Sequence, residues 1–375
     1  MRTIAVVGAS LAGLTAARAL RAQGFDGRLV LVGAEEHRPY DRPPLSKDFL
    51  LGSVDGSALD DRGLEIDYRL ATAATGLTGT TVHTTAGDVP ADGVVLATGA
   101  GPRLLPNQGD GVHVLRTLDD ARALRAALRP GAHVVIVGAG FVGAEVASSA
   151  RTLGCEVTVV EAAPVPFERA VGAEMGAALG RLLPRHGVRL RTGVGVRAAA
   201  ATHVDLADGH RLEADAVLVG IGVLPNTGWL AGSGVAVGDG VLCDQAGATT
   251  VPGVVAAGDC AAWFDPALGR HERLEHWTGA GEQATMAAAT LLGAPPPPRW
   301  PAYFWSDQFG VRIQFAGRAE PGDEITIETG DPDDGSWLAV YRRPGDDTGA
   351  LSAVLGVAQG RLFTRRRRDI AARQA

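Results

Sequence analysis

The sequence predicts an α/β protein: two Rossmann-like dinucleotide-binding domains, then a C-terminal α+β domain. Three observations carry this. A glycine turn joins a short apolar strand to an amphipathic helix near the start of the chain. The same arrangement returns 130 residues later, from Gly8 to Gly138. A run of four prolines, 295–298, then sets off the last 77 residues.

The first unit spans Thr3 to Glu35. Strand 3–7 is followed by the turn Gly8-Ala9-Ser10-Leu11-Ala12-Gly13, a helix through Ala22, Gly24 as its stop and a second strand over 28–32. Gly8 permits the tight turn, and Gly13 lets helix and strand pack closely. The helix N-terminus offers unpaired N–H groups and a positive dipole to a pyrophosphate. Glu35 is placed to accept hydrogen bonds from a ribose. The middle glycine of the fingerprint is replaced by Ser10.

The second unit carries the full form. Strand 133–137 leads into Gly138-Ala139-Gly140-Phe141-Val142-Gly143, a helix and strand 156–160, which ends at Glu161. That acid lies 23 positions after the first glycine, close to the spacing of about 20 expected for a ribose acceptor. No arginine follows immediately, so NADH is expected over NADPH. Two such units suggest two nucleotides, a tightly held flavin and an exchangeable nicotinamide.

Between and after them the chain is legible in outline. Pro39 to Lys47 reads as a proline-stiffened surface loop whose cations are either solvated or reach a cofactor, Arg42 toward the pyrophosphate and Lys47 toward the flavin ring. Residues 54–92 read as a small β-meander. The apolar run 94–97 suits a buried parallel strand whose carboxyl end, Thr98-Gly99, faces a ligand. Helices are expected over 118–128, 175–183 and 279–292, with a polar meander before Asp215 and a strand over 216–220. Asp259, ending the strand 250–259, is placed either to accept from the flavin's sugar-alcohol chain or to cap a following helix. After the prolines, strands are expected over 311–316, 324–329, 337–341 and 351–357, then a closing helix. The expected domains are 1–108 with 236–296 for FAD, 109–235 for NAD and 297–375 at the C-terminal end.

Composition narrows the function. Of 375 residues, 46% are hydrophobic and 21% charged, an ordinary globular balance. A net charge of −7 argues against nucleic-acid binding. The three cysteines, Cys155, Cys243 and Cys260, form no CxxC pair, so neither a disulfide framework nor a metal site is expected. Arg2 and the apolar residues to Ala17 superficially resemble a signal peptide, but Gly8, Ser10 and Gly13 interrupt the run. With no run of about 20 apolar residues, a cytoplasmic protein outside the membrane is expected.

Taken together, several motifs resemble the flavin reductases of the ferredoxin-reductase branch, which serve bacterial haem monooxygenases and aromatic-ring dioxygenases. They are Arg42-Pro43-Pro44-Leu45-Ser46-Lys47, Val137 to Glu145, Gly222-Val223-Leu224-Pro225-Asn226-Thr227, Ala257-Gly258-Asp259, Glu275-His276-Trp277 and Phe304-Trp305-Ser306-Asp307-Gln308. The resemblance implies a glutathione-reductase-like fold, FAD on the first fingerprint and NADH on the second. FAD contacts would come from Gly8, Ser10, Leu11, Ala12, Gly13, Glu35, Arg42, Lys47, Thr98, Gly99, Asp259 and Trp277. Those to NAD would come from Gly138, Gly140, Phe141, Val142, Gly143, Glu145, Glu161 and Gly222. Lys47 and Glu145 would pair beside the flavin ring, Glu145 also meeting the nicotinamide carboxamide, and Trp305 would close over the rings. Two departures stand out: a short stretch between Lys47 and Val94, and Gly101 where the family commonly has arginine.

The implied reaction takes hydride from NADH to FAD and passes single electrons to a separate two-iron, two-sulfur ferredoxin feeding an oxygenase. Rubredoxin reductase is the nearest enzymatic alternative. A slow flavin-binding interaction or signalling protein, like apoptosis-inducing factor, is the alternative of another class. A disulfide reductase or thiol oxidase would need a reactive cysteine near the flavin loop, and residues 39–47 contain none. The oligomeric state, monomer or homodimer, stays open. Arg365 to Arg368, with Arg361 four residues earlier, are expected either to steer an acidic ferredoxin or simply to close their helix.

Overall fold

The strand before each glycine turn forms where the apolar run dictates, and each sits inside its own parallel sheet. The computed structural model describes residues 1–298, 300–345 and 348–372. They fall into two units, Met1–Asp41 with Gly56–Gly101 and Leu224–Arg299, and Arg42–Asp55 with Pro102–Val223 and Trp300–Ala375.

In the first unit the parallel order is Val254–Ala256, Gly93–Leu96, Thr3–Val7, Arg28–Val32 and Ile66–Arg69. Ile4, Leu29, Leu31, Val95 and Leu96 are at most 1% exposed. Burying a side chain of this size stabilises by about 1.5–3 kcal/mol. Helix Leu11–Ala22 lies against helix Trp277–Leu292. Ala12, Ala16, Ala280, Ala284 and Ala287 are buried in their shared core, where small side chains permit close approach. The meander expected over 54–92 is only partly right. Ala74–Thr78 and Thr81–Thr84 form a hairpin, but Ile66–Arg69 joins the parallel sheet as its edge strand. The residues after Ala231 also form a four-stranded mixed sheet that the sequence did not announce: Val237–Gly238, Gly240–Cys243, Ala261–Asp265 and Arg270–Arg273.

In the second unit the parallel order is Arg189–Arg191, Glu156–Val160, His133–Val137 and Ala216–Val219. A three-stranded antiparallel sheet, Val196–Ala200, His203–Leu206 and Arg211–Glu213, accounts for the polar meander. The helix expected over 175–183 is two short ones, Ala173–Gly180 and Leu182–Arg185.

The C-terminal residues of this unit form an antiparallel sheet ordered Tyr303–Gln308, Val311–Gly317, Ala353–Val357, Ser336–Arg342 and Glu324–Asp331. Alternation along Ser336–Arg342 divides its two faces. Trp337, Ala339 and Tyr341 join Ile313 and Phe315 in one core with Leu124, Val146 and Met175. Leu338 and Val340 pack instead with Phe363 and Ile370 of helix Gly360–Ala371. Strand Tyr303–Gln308 was not expected. Its inward positions include Ser306 and Gln308, which break the apolar alternation that marks a buried strand. Leu50, from the segment Arg42–Asp55, is buried in the same core.

Candidate active site

Both glycine turns are built alike. Gly8 N–H donates to Val32 O and Gly138 N–H to Val160 O, each at 2.8 Å. Their φ angles are +124° and +107°. A Cβ on Gly8 would lie 1.9 Å from Ala97 O, and one on Gly138 would lie 2.3 Å from Gly220 O. No side chain larger than hydrogen fits either place. Gly13 and Gly143 are packed as tightly, with a Cβ falling 1.9 and 2.2 Å from the carbonyls of Gly8 and Gly138.

Ser10 and Gly140 occupy the N-cap positions of helices Leu11–Ala22 and Phe141–Thr152, and neither supplies a side-chain cap. The first-turn N–H groups of both helices therefore have no acceptor within the helix. Around Gly140 a Cβ would meet nothing within 4 Å, and Gly222, with φ +106°, is as open. Val142 is exposed, whereas the Phe141 ring is packed between Phe167 and Phe304 at centroid distances of 4.9 and 4.8 Å. Turns that exclude Cβ atoms and helix ends with free donors fit two dinucleotides.

The acids after the second strands are both held. Tyr40 Oη donates to Glu35 at 2.5 Å. Glu161 accepts from Ala139 N–H at 2.7 Å, which ties it to the glycine turn, and from Ala163 N–H at 2.9 Å. Around the first turn, Thr98 donates to Asn226 O and Asn226 Nδ2 donates to Thr98 O, at 2.8 and 2.9 Å. Gly99 adopts φ +64°. Asp259 caps no helix, because strand Ala261–Asp265 follows, and its carbonyl accepts from Arg273. Trp277, 41% exposed, opens its helix and donates to Asp41 at 2.6 Å. Beside it, burial pushes the His276 imidazole down to about 4 against the opposing pull of Asp259, leaving it neutral. Arg42 donates to Arg116 O at 2.7 Å.

The tightest cluster surrounds Glu145. This residue lies one turn into helix Phe141–Thr152, is only 5% exposed, and is therefore not a solvated first-turn acid. Lys47 Nζ stands 2.6 Å from its Oε2, and Ser46 Oγ donates to the same oxygen at 2.5 Å. Ser306 Oγ donates to Oε1 at 2.6 Å. Lys47 also donates to Pro43 O at 3.1 Å. Removing one partner from a buried ion pair typically costs about 3–5 kcal/mol, so the cluster is strongly coupled. Trp305 neighbours Ser306 in sequence but projects from the other face of its strand, stacked on Tyr303 at 6.1 Å. Ser46 and Ser306 were not singled out as site residues from the sequence, although both lie inside the diagnostic motifs.

All three cysteines are buried and unpaired, and burial raises each thiol above its ordinary range. No metal-ligating cluster occurs among the described residues, and none of their helices is long and apolar enough to cross a membrane.

Two parallel sheets, each leading through a glycine turn into a helix, define a protein built for two dinucleotides. The chain belongs to the pyridine nucleotide-disulphide oxidoreductase family, whose model matches residues 2–284, and a reductase C-terminal model matches 303–375. Its cofactors are FAD and NAD(H). It is 38% identical to the ferredoxin–NAD(+) reductase component of the biphenyl dioxygenase system of Paraburkholderia xenovorans (strain LB400), covering 97% of this chain and 92% of that one. Similar solved structures include two that span nearly the whole chain. One is Fdr9, at 42% identity and TM-score 0.91, covering 99% and 95% of the two chains. The other is the covalent putidaredoxin reductase–putidaredoxin complex, at 31% and 0.92, covering 99% and 93%.

Proposed function

We propose that the chain is an NADH-dependent ferredoxin reductase that delivers single electrons to a separate two-iron, two-sulfur ferredoxin feeding an oxygenase. The observation that carries this reading is the buried Lys47–Glu145 pair, one turn into the helix that the second glycine turn opens. The names of the similar proteins, reductases of ferredoxin-type partners, support it. When bound, the two cofactors supply the conversion of a two-electron donor into a one-electron donor.

The protein's task is to hold and tune. Lys47 supplies a cation that favours negative charge developing near it, in a site where water is largely excluded. Glu145 neutralises that lysine at rest. A carboxylate offers about four acceptor positions. Lys47, Ser46 and Ser306 fill three of them, and the fourth, on Oε1, is the one a carboxamide N–H would take. Glu161 serves the adenosine ribose of NADH and Glu35 that of FAD. Trp305 covers the ring system. In functional terms 1–108 with 236–296 serve FAD, 109–235 serve NADH and 297–375 form the C-terminal domain, with Lys47 brought to the pair with Glu145. Three buried thiols suit a reducing cytosol.

The purified protein should be yellow and release FAD on heating. With NADH present it should reduce a two-iron, two-sulfur ferredoxin much faster than a rubredoxin. A faster rubredoxin reaction would reverse the choice of partner, and a slow reaction with every acceptor would favour a signalling role.

A further inference from the structure

Gln308 carries a buried amide oxygen, Oε1, that has no hydrogen-bond partner among the described residues, although the side chain is only 2% exposed. An orphaned buried acceptor is costly, on the order of 1–3 kcal/mol. Its position explains it. The amide Nε2 donates to Ser306 Oγ at 3.1 Å, and Ser306 Oγ lies 2.6 Å from Glu145 Oε1. An ionised carboxylate only accepts, so the serine proton must point at Glu145. Gln308 must then present its N–H to that serine. Turning the amide over would pair Oε1 but draw the serine proton away from Glu145.

Ser306 is fully buried, at 0% exposure, and lies on the C-terminal sheet, whereas Glu145 lies on the nucleotide-binding helix. On the opposite oxygen, Ser46 and Lys47 hold Oε2. The helix is fastened to this neighbourhood twice more. Ser149 Oγ donates to Ser46 O at 2.7 Å, and Ser148 Oγ accepts from Phe309 N–H at 2.7 Å. The carboxylate plane is thereby fixed from both sides.

We infer that Ser306, with its proton directed by Gln308, is a positioning residue of the nicotinamide site: it orients the Glu145 carboxylate so that one acceptor position on Oε1 is presented to the carboxamide of the incoming nucleotide. This rests on the reading of Glu145 under the proposed function, and the experiment separates the two.

The test is a double-mutant cycle on the FAD-loaded protein, reading the Kd for NAD+ by quenching of protein fluorescence, with kcat and KM for NADH alongside. Ser306→Ala should raise that Kd about three- to tenfold, the worth of one ordinary hydrogen bond. KM for NADH should rise with it while kcat changes less. Glu145→Gln should raise the Kd further, and adding Ser306→Ala to it should change nothing more. If Glu145→Gln cannot retain FAD, Glu145→Asp replaces it in the cycle. An unchanged Kd in Ser306→Ala, with a raised Kd in the Glu145 variant, overturns the inference and leaves the reading of Glu145 intact. Effects that simply add overturn it too, because Ser306 would then act without Glu145. An unchanged Kd in both variants overturns the reading of Glu145 itself.

Discussion

The two glycine-turn regions share a backbone and differ in what their helices carry. Seven residues after Gly138 stands Glu145, buried and paired with Lys47. Seven residues after Gly8 stands Thr15, which cannot pair with a cation. The first region instead has a half-buried His276, held neutral beside Trp277. One backbone solution for a pyrophosphate has thus been given two electrostatic environments. The turn whose helix carries no ion pair suits a cofactor that stays, and the ion-paired one a cofactor that must be recognised, used and released.

Spoiling each turn separately should have the largest effect. An alanine at either first glycine meets a positive φ, worth about 1–2 kcal/mol, and a carbonyl overlap worth about 1–3 kcal/mol more. Gly8→Ala should yield colourless protein that takes up no FAD. Gly138→Ala should stay yellow but show a KM for NADH raised by more than about tenfold. Loss of FAD in both variants, read from the visible absorption spectrum, would show that the regions are not separable.

A smaller effect concerns His276. Its folded pKa, about 4, lies below the ordinary 6.5, so only the unfolded chain takes up a proton between those values. Stability is therefore complete above pH 6.5 and is lost as the pH falls toward 4, by on the order of 3 kcal/mol. His276→Gln should flatten that part of the melting curve against pH. An unchanged slope would mean that the histidine is not held neutral by burial.

Much of this was legible in the sequence because periodicity and turn glycines act locally. Both fingerprints, the strand at 94–96 and the closing helix stand where those signals place them. What escaped was non-local. Strand Tyr303–Gln308 carries Ser306 and Gln308 at core positions because their partners are a carboxylate and each other, and no local pattern reveals a partner 161 residues away. Ile66–Arg69 was likewise hidden, since its place beside Arg28–Val32 depends on pairing across the chain.

Cofactor choice sharpens the second region. Glu161 is fixed by two backbone N–H groups, Ala139 of the glycine turn and Ala163 two residues on, and a 2′-phosphate would bring negative charge against it. NADH should be preferred over NADPH by at least about tenfold in kcat/KM, or about 1.4 kcal/mol, and Glu161→Ala should narrow that ratio. Equal use of both cofactors by the unaltered protein would remove the role given to this acid.

The smallest effect concerns the arginine run, where the structure corrects a simple steering picture. Arg366 is occupied by Glu328 and Asp369, and those hydrogen bonds raise its pKa further. Arg367 lies over the Tyr303 ring at 4.3 Å. Arg361, Arg365 and Arg368 are exposed. Neutralising Arg365 and Arg368 together should raise the KM for ferredoxin about two- to fivefold, with weaker salt dependence, and leave ferricyanide reduction unchanged. An unaltered KM would assign the run to closing its helix.

On the proposed function, this chain takes two electrons from NADH and passes them on singly to a ferredoxin. Anaerobic double-mixing stopped flow, followed at the flavin absorption band, tests it most directly. The flavin should bleach rapidly on mixing with NADH, and oxidised two-iron, two-sulfur ferredoxin added next should restore the band over two equivalents while the ferredoxin's own absorption falls. Slow bleaching, or a reduced flavin that ferredoxin leaves untouched, would contradict it.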